Sequence, residues 1–226
     1  MTQLVVLCGG RGTRMASIVG GDQKCLVPVA GRPFLDHVLD AAARPPVDRV
    51  LLLAGHRADE ITAYARARAV QVHTEAEPHG TIAALRDAAD LLDDEFLLAL
   101  GDVQPPVGRD LWTELSARAA ETGAAAVMAL APEEASLDQG NVEVEGPWIT
   151  RYDKAIAGPY VDRAVRFLTR TALRTQQGAH DQEFFGGLAT RRQLAHHVLP
   201  GRIVEVGTPE RWEHANRVLA DQGVRP

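Results

Sequence analysis

Near the start of the chain an apolar run, LVVL, leads into LCGGRGTRM (residues 7–15), and nine residues separate Arg14 from Lys24. Glycines let a backbone come close to a phosphate and aim bare N–H groups at it. Arginine adds bidentate charge to phosphate oxygens. A loop of this composition at the end of a first strand sits where open α/β sheets bind ligands. Two common phosphate motifs do not fit it. A Walker loop ends in Lys-Ser/Thr, which is missing here, and the dinucleotide fingerprint G-x-G-x-x-G fails because Met15 stands where the last glycine belongs. The residues therefore point to a phosphate-binding loop of a third kind.

The elements around the loop alternate strand and helix. Leu4–Leu7, Val50–Ala54, Val70–His73 and Glu95–Leu100 read as strands. Pro33–Ala43, Ala58–Arg68 and Thr81–Leu92 read as helices, the first with Phe34, Leu35, Val38, Leu39 and Ala42 on one apolar face. Strands of near-continuous apolar character separated by helices imply a mostly parallel sheet covered on both faces. After a helix at Asp110–Thr122 and a strand at Ala124–Leu130 the pattern changes. Shorter, more polar strands follow at Val142–Val144, Ile149–Asp153 and Tyr160–Leu168. Ile203–Val206 is a late strand, and Pro209–Leu219 closes the chain as a helix. This is the pattern of an α/β, Rossmann-like, mostly parallel sheet with a small, partly antiparallel insertion, and of one domain over 1–226.

With 226 residues, 46% hydrophobic and 24% charged, the composition is that of an ordinary globular protein. A net charge of −6 argues against a general nucleic-acid binder. No apolar stretch reaches the roughly 18 residues that cross a bilayer, and MTQLVVLCGG lacks the form of a signal peptide. The expectation is a cytoplasmic protein without membrane or nucleic-acid partners. Cys8 and Cys25 are too few for a disulfide framework and lack metal-site spacing. His196, His197 and the other histidines show no metal-ligand pattern and are expected on the surface or in a helix.

LCGGRGTRM, then Lys24, then PVAGRPFL (residues 28–35) resembles the signature of the sugar-1-phosphate nucleotidyltransferases, G-G-x-G-T-R followed by nine residues, a lysine and a P-hydrophobic-x-x-x-P-hydrophobic run. Further motifs are similar in order: EAEPHGTIAAL (75–85) to E-x-x-P-L-G-T-A-G-A-L, LALGDV (98–103) to the family's N-G-D strand end, GNVEV (140–144) to its G-x-V strand, ITRYDK (149–154) to its Glu-Lys pair, and EVGTPERW (205–212) to D-I-G-T-P-E-D-Y. Among relatives, the short chain and the Cys-Gly-Gly start are most similar to the D-glycero-D-manno-heptose 1-phosphate guanylyltransferases.

The resemblance implies a GT-A-like nucleotidyltransferase fold, with a nucleotide half over 1–130 and a sugar half plus closing helix over 131–226. It implies attack of a sugar 1-phosphate oxygen on the α-phosphate of a nucleoside triphosphate, with pyrophosphate leaving in line. The nucleophile is already anionic, so the site needs positioning, cations and a metal in place of a general base. Carried onto this chain, Gly9, Gly10 and Gly12 wrap the triphosphate by backbone N–H groups, and Leu7, Cys8, Arg11 and Thr13 complete the nucleotide-binding stretch. Arg14 neutralises the departing pyrophosphate and Lys24 bridges the α-phosphate and the sugar phosphate. Asp102, with Glu205 in the place of a second aspartate, holds Mg²⁺. Glu75, Gly80 and Thr81 line the base pocket, where a carboxylate accepts from guanine N1–H and N2–H₂ and so favours GTP. Gly140, Asp153, Lys154, Asp162 and Glu183 face the sugar.

The chain departs from the family at Leu100 (usually Asn), His79 (usually Leu), and Asp162 and Arg163, where an Asn-Ala/Gly-Gly stretch is usual. These changes open two alternatives: another hexose or a cyclitol 1-phosphate as acceptor, or a nucleotide-sugar-binding homologue without turnover. The assembly is left open, a homodimer included.

Overall fold

The computed structural model describes residues 2–15, 18, 20–75 and 80–223; the expectation attached to His79 lies outside the described residues. In chain order the strands are β1 (Gln3–Leu7), β2 (Pro28–Val29), β3 (Arg32–Pro33), β4 (Arg49–Ala54), β5 (Gln71–Thr74), β6 (Glu95–Leu100), β7 (Val103–Gln104), β8 (Ala126–Pro132), β9 (Val142–Glu145), β10 (Trp148–Tyr152), β11 (Tyr160–Thr169), β12 (Leu194–Val198) and β13 (Val204–Glu205). The α-helices are α1 (Phe34–Ala42), α2 (Ala58–Ala67), α3 (Thr81–Asp87), α4 (Leu111–Thr122), α5 (Arg170–Thr175), α6 (Asp181–Thr190) and α7 (Pro209–Gly223).

Nine strands form one sheet in the order β5-β4-β1-β6-β11-β8-β12-β10-β9. β5, β4, β1 and β6 are parallel neighbours. The ten-residue β11 runs antiparallel between β6 and β8, so the late strands continue the first half's sheet. Side chains alternate across it. Leu4, Val6, Leu97 and Ala99 join the core under α1, α2, α4 and α7, whereas Val5, Phe96 and Leu98 join the core under α3, α5 and α6. Burial on both faces is why these strands read as unbroken apolar runs.

Two expectations need correction. The helix expected over Thr81–Leu92 stops at Asp87 and tightens into a 3₁₀ turn, Ala89–Leu91. His196 and His197, expected on the surface or in a helix, lie in β12, parallel to β8 and antiparallel to β10. His196 stacks on Tyr160 at 6.3 Å between ring centroids and its Nε2 lies 3.0 Å from the Gly146 carbonyl oxygen; burial pulls its pKa down. A non-alternating apolar-apolar-His-His-Val string carries no strand period, and only sheet closure makes it one.

Candidate active site

β1 and β6 end side by side, with the Gly101 N–H donating to the Leu7 carbonyl at 2.9 Å. The chain after each strand end opens a cleft of about 280 Å³. Its wall holds Leu7, Cys8, Gly9, Gly10, Lys24, Glu75, Gly80, Thr81 and Asp102, nine of the positions singled out in the sequence, together with Gln23, Cys25, Ala84 and Leu100. Four separate stretches of sequence thus converge on one cleft.

Lys24 begins a 3₁₀ turn, Lys24–Leu26. The preceding Gln23 is buried and fixes the approach: its backbone N–H donates to Glu60 at 2.7 Å and its side-chain amide to the His56 carbonyl at 2.6 Å. Gly12 adopts φ +59°, and a Cβ there would stand 3.0 Å from the Lys24 Cβ. A glycine is therefore needed twice over, for its backbone and for the lysine stem packed on it. Lys24 Nζ forms an ion pair with Asp102. Cys8 and Cys25 are buried beside them, and the hydrogen bond that the Cys8 thiol makes with Cys25, together with burial, pushes the Cys8 pKa above its usual range. A thiol held protonated in this way is a packing group.

Asp102 is followed by the short β7, which pairs with β13 so that Glu205 stands opposite Val103, and the Val206 N–H donates to the Asp102 carbonyl at 3.0 Å. The ladder thus puts Glu205 next to Asp102. Burial raises the Glu205 pKa, the Arg211 partner opposes that, and Asp102 adds to the rise. Arg211 bridges Glu205 and Asp138. Among the described residues no cluster of three or more His, Cys, Asp or Glu could cage a metal. Two neighbouring carboxylates that complete their shell with substrate oxygens and water match the way Mg²⁺ is bound, and so the donor set fits that ion.

Other expected positions lie elsewhere. Arg11, Thr13 and Arg14 are exposed on the stretch leading into the 3₁₀ turn Thr13–Met15, outside this cleft's wall. Lys154 is exposed, and Asp153 accepts from the Ala155 N–H and the Gln182 amide, both at 2.9 Å. Glu183 is exposed and accepts from the Ala179 N–H at 3.2 Å. Gly140 is packed on the chain itself: a Cβ would run into the Gly158 carbonyl oxygen. Gly140→Ala is expected to lower the unfolding free energy by about 2–3 kcal/mol, read from urea denaturation; an unchanged midpoint would contradict this packing.

Asp162 and Arg163 stand at an irregularity of β11 where Asp162 pairs with Leu130 and Arg166 with Met128, so four steps on β11 match two on β8. Ala164 takes φ +57° there. Asp162 turns into a buried network, accepting from Arg166, from the Tyr152 hydroxyl at 3.2 Å and from the Ala164 N–H at 2.8 Å. Arg163 points the other way and donates to the carbonyls of Leu199, Pro200, Gly201 and Arg202, with burial pulling its pKa down to about 10. It clamps the loop that leads into β13 and Glu205. Sequence reasoning missed Arg166, Asp181 and Gln23; an arginine inside an otherwise apolar strand, VRFL, was the available signal for the first.

Fold and cleft together define a class: the chain belongs to the MobA-like NTP transferase domain family, whose pattern matches residues 4–225. Among curated proteins it is 40% identical over 102 residues to the bifunctional protein GlmU of Burkholderia orbicola, a stretch that is 44% of this chain and 22% of that protein. The chain thus spans under a quarter of the length of that relative. Among solved structures its fold is similar to HddC from Yersinia pseudotuberculosis (TM-score 0.77, 19% identity, covering 97% of this chain and 100% of that one). It is also similar to UDP-glucose pyrophosphorylase from Acinetobacter baumanii (TM-score 0.81, 15% identity, 100% and 95% covered).

Proposed function

We propose that the protein transfers a nucleotidyl group from a nucleoside triphosphate, GTP above others, to a sugar 1-phosphate, releasing pyrophosphate and forming an NDP-sugar. The observation that carries this reading is the convergence of the glycine loop, the Lys24–Asp102 pair and the Glu75–Gly80–Thr81 wall on one cleft. The family membership supports it, and HddC, solved in complex with GMP-PN, supports the choice of a guanine nucleotide. D-glycero-D-manno-heptose 1-phosphate is the acceptor we propose first.

In this reading Gly9 and Gly10 offer backbone N–H groups to the triphosphate and Arg14 swings onto the departing pyrophosphate. Lys24 exchanges its carboxylate partner for phosphate oxygens and holds both anions at the reacting phosphorus. Glu75 accepts hydrogen bonds from the base. Gly140, Asp153, Lys154 and Glu183 lie on the acceptor side. Asp102 and Glu205 would hold Mg²⁺, which when bound neutralises the phosphate charge that builds up in transfer. The engagement of Asp162 by Arg166 favours a second reading of the acceptor, another hexose or a cyclitol 1-phosphate, because that carboxylate is already used within the protein.

The test is pyrophosphate release across the four NTPs and a set of sugar 1-phosphates, with Mg²⁺ and with EDTA. Metal-dependent turnover, fastest with GTP and the heptose 1-phosphate and lost in EDTA, is the expected result. Nucleotide binding without pyrophosphate release for any pair would overturn the enzyme reading.

A further inference from the structure

Thr81 ties the wall of the cleft to buried charge. Its hydroxyl donates to Asp181 Oδ1 at the start of α6. The other Asp181 oxygen lies 3.1 Å from Nη2 of Arg166, whose side chain is 1% exposed and which also pairs with Asp162. The N-terminus of α3 cannot drift from this partner, because Ile82 and Ala83 both donate to the Ala179 carbonyl, at 3.1 and 3.3 Å. Arg86 in turn binds the Leu173, Gln176 and Gly178 carbonyls, holding the segment that carries Ala179.

A hydroxyl has one proton and two lone pairs, and an ionised carboxylate only accepts. Asp181, opposite a guanidinium that stays charged, therefore takes the Thr81 proton inward. What Thr81 Oγ1 has left for the cleft is acceptor capacity alone. We propose that Asp181, held by Arg166, is a positioning residue that makes Thr81 an obligate hydrogen-bond acceptor towards the nucleobase, so that the site selects bases carrying an exocyclic amino group over counterparts that lack it. This rests on reading the cleft as a nucleotide site. An amino group donates to Oγ1, whereas a ring carbonyl there would face lone pairs with lone pairs, and a base lacking the amine would leave the oxygen unpaired.

Titration calorimetry on the intact protein with GTP, ITP, CTP and UTP, and with inorganic tripolyphosphate as a base-free probe, tests this. The amino member of the GTP/ITP or CTP/UTP pair is expected to bind roughly tenfold tighter. Asp181→Asn, whose amide can donate to Thr81 and free the hydroxyl proton for the cleft, should bring the ratio within about twofold. Thr81→Val should do the same, Thr81→Ser should keep the ratio, and tripolyphosphate affinity should stay constant throughout. A wild-type ratio near one, or a folded Asp181→Asn protein that retains the full ratio, would overturn the proposal; if Asp181→Asn does not fold, retention of the ratio by Thr81→Val overturns it. The base assignment fails separately. Tight CTP binding with weak GTP binding would remove the guanine reading yet support the role of Asp181, and tripolyphosphate binding with no gain from any base would remove the nucleotide reading and this inference with it.

Discussion

Asp102→Asn is expected to lower turnover in the pyrophosphate-release assay by roughly 100–1,000-fold while the protein stays folded. The substitution keeps the shape of the side chain and removes its charge at the end of β6, where the Lys24 ammonium and the neighbouring Glu205 both respond to it. Loss of the carboxylate removes the partner of Lys24 at the cleft and, in the proposed reading, a hard oxygen donor for Mg²⁺. The stability change should be small, on the order of 1 kcal/mol, since the pair is partly open to solvent. Thermal unfolding measured beside the kinetics separates the two effects. Turnover within tenfold of wild type would remove Asp102 from the reacting centre.

Arg166→Met should cost about 3–5 kcal/mol of unfolding free energy in urea denaturation. Burial alone would pull the Arg166 pKa down, but Asp162 and Asp181 outweigh it and hold it above its usual value. Methionine fills similar volume yet leaves Asp162 and Asp181 without their cation, and their side chains are only 9% and 16% exposed. The Arg166 guanidinium also packs 4.5 Å over the Phe185 ring, a cation–π attraction that methionine cannot supply. Arg151→Met is the comparison: its pair with Asp153 spans 3.5 Å with the arginine 55% exposed, and its removal should change stability by less than about 0.5 kcal/mol. A cost below 1 kcal/mol for Arg166→Met would mean that the two aspartates are served by other partners.

The first half of the fold was legible because its signals are local. Glu95–Leu100 is a strand with the bounds the apolar run implies, and the helix expected from the Phe34, Leu35, Val38 periodicity forms with Pro33 at its entry. The cleft wall was legible for a different reason: Cys8–Gly10 and Asp102 follow the ends of β1 and β6, and parallel strands bring their ends to one edge. The surroundings of Asp162 and Gly140 were not legible. Arg166 stands only four positions from Asp162, yet the irregularity of β11 between them is set by pairing with β8, and the need of Gly140 for a bare backbone comes from Gly158, eighteen positions away.

By itself, then, the sequence determined the alternation of apolar strands and amphipathic helices, the glycine-rich loop and the spacing to Lys24, because those depend on period, residue type and chain order. The tertiary structure decided what depends on which strands become neighbours. It placed β11 between β6 and β8 and drew β12 into the sheet. It spent Asp162 and Arg163 on holding the protein together, set Glu205 beside Asp102, and turned the Thr81 proton away from the cleft. Apart from the Asp162–Arg166 pair, whose members are four positions apart, each is fixed by an interaction between residues far apart in the chain, where charge, burial and sheet register are settled by the partner that arrives.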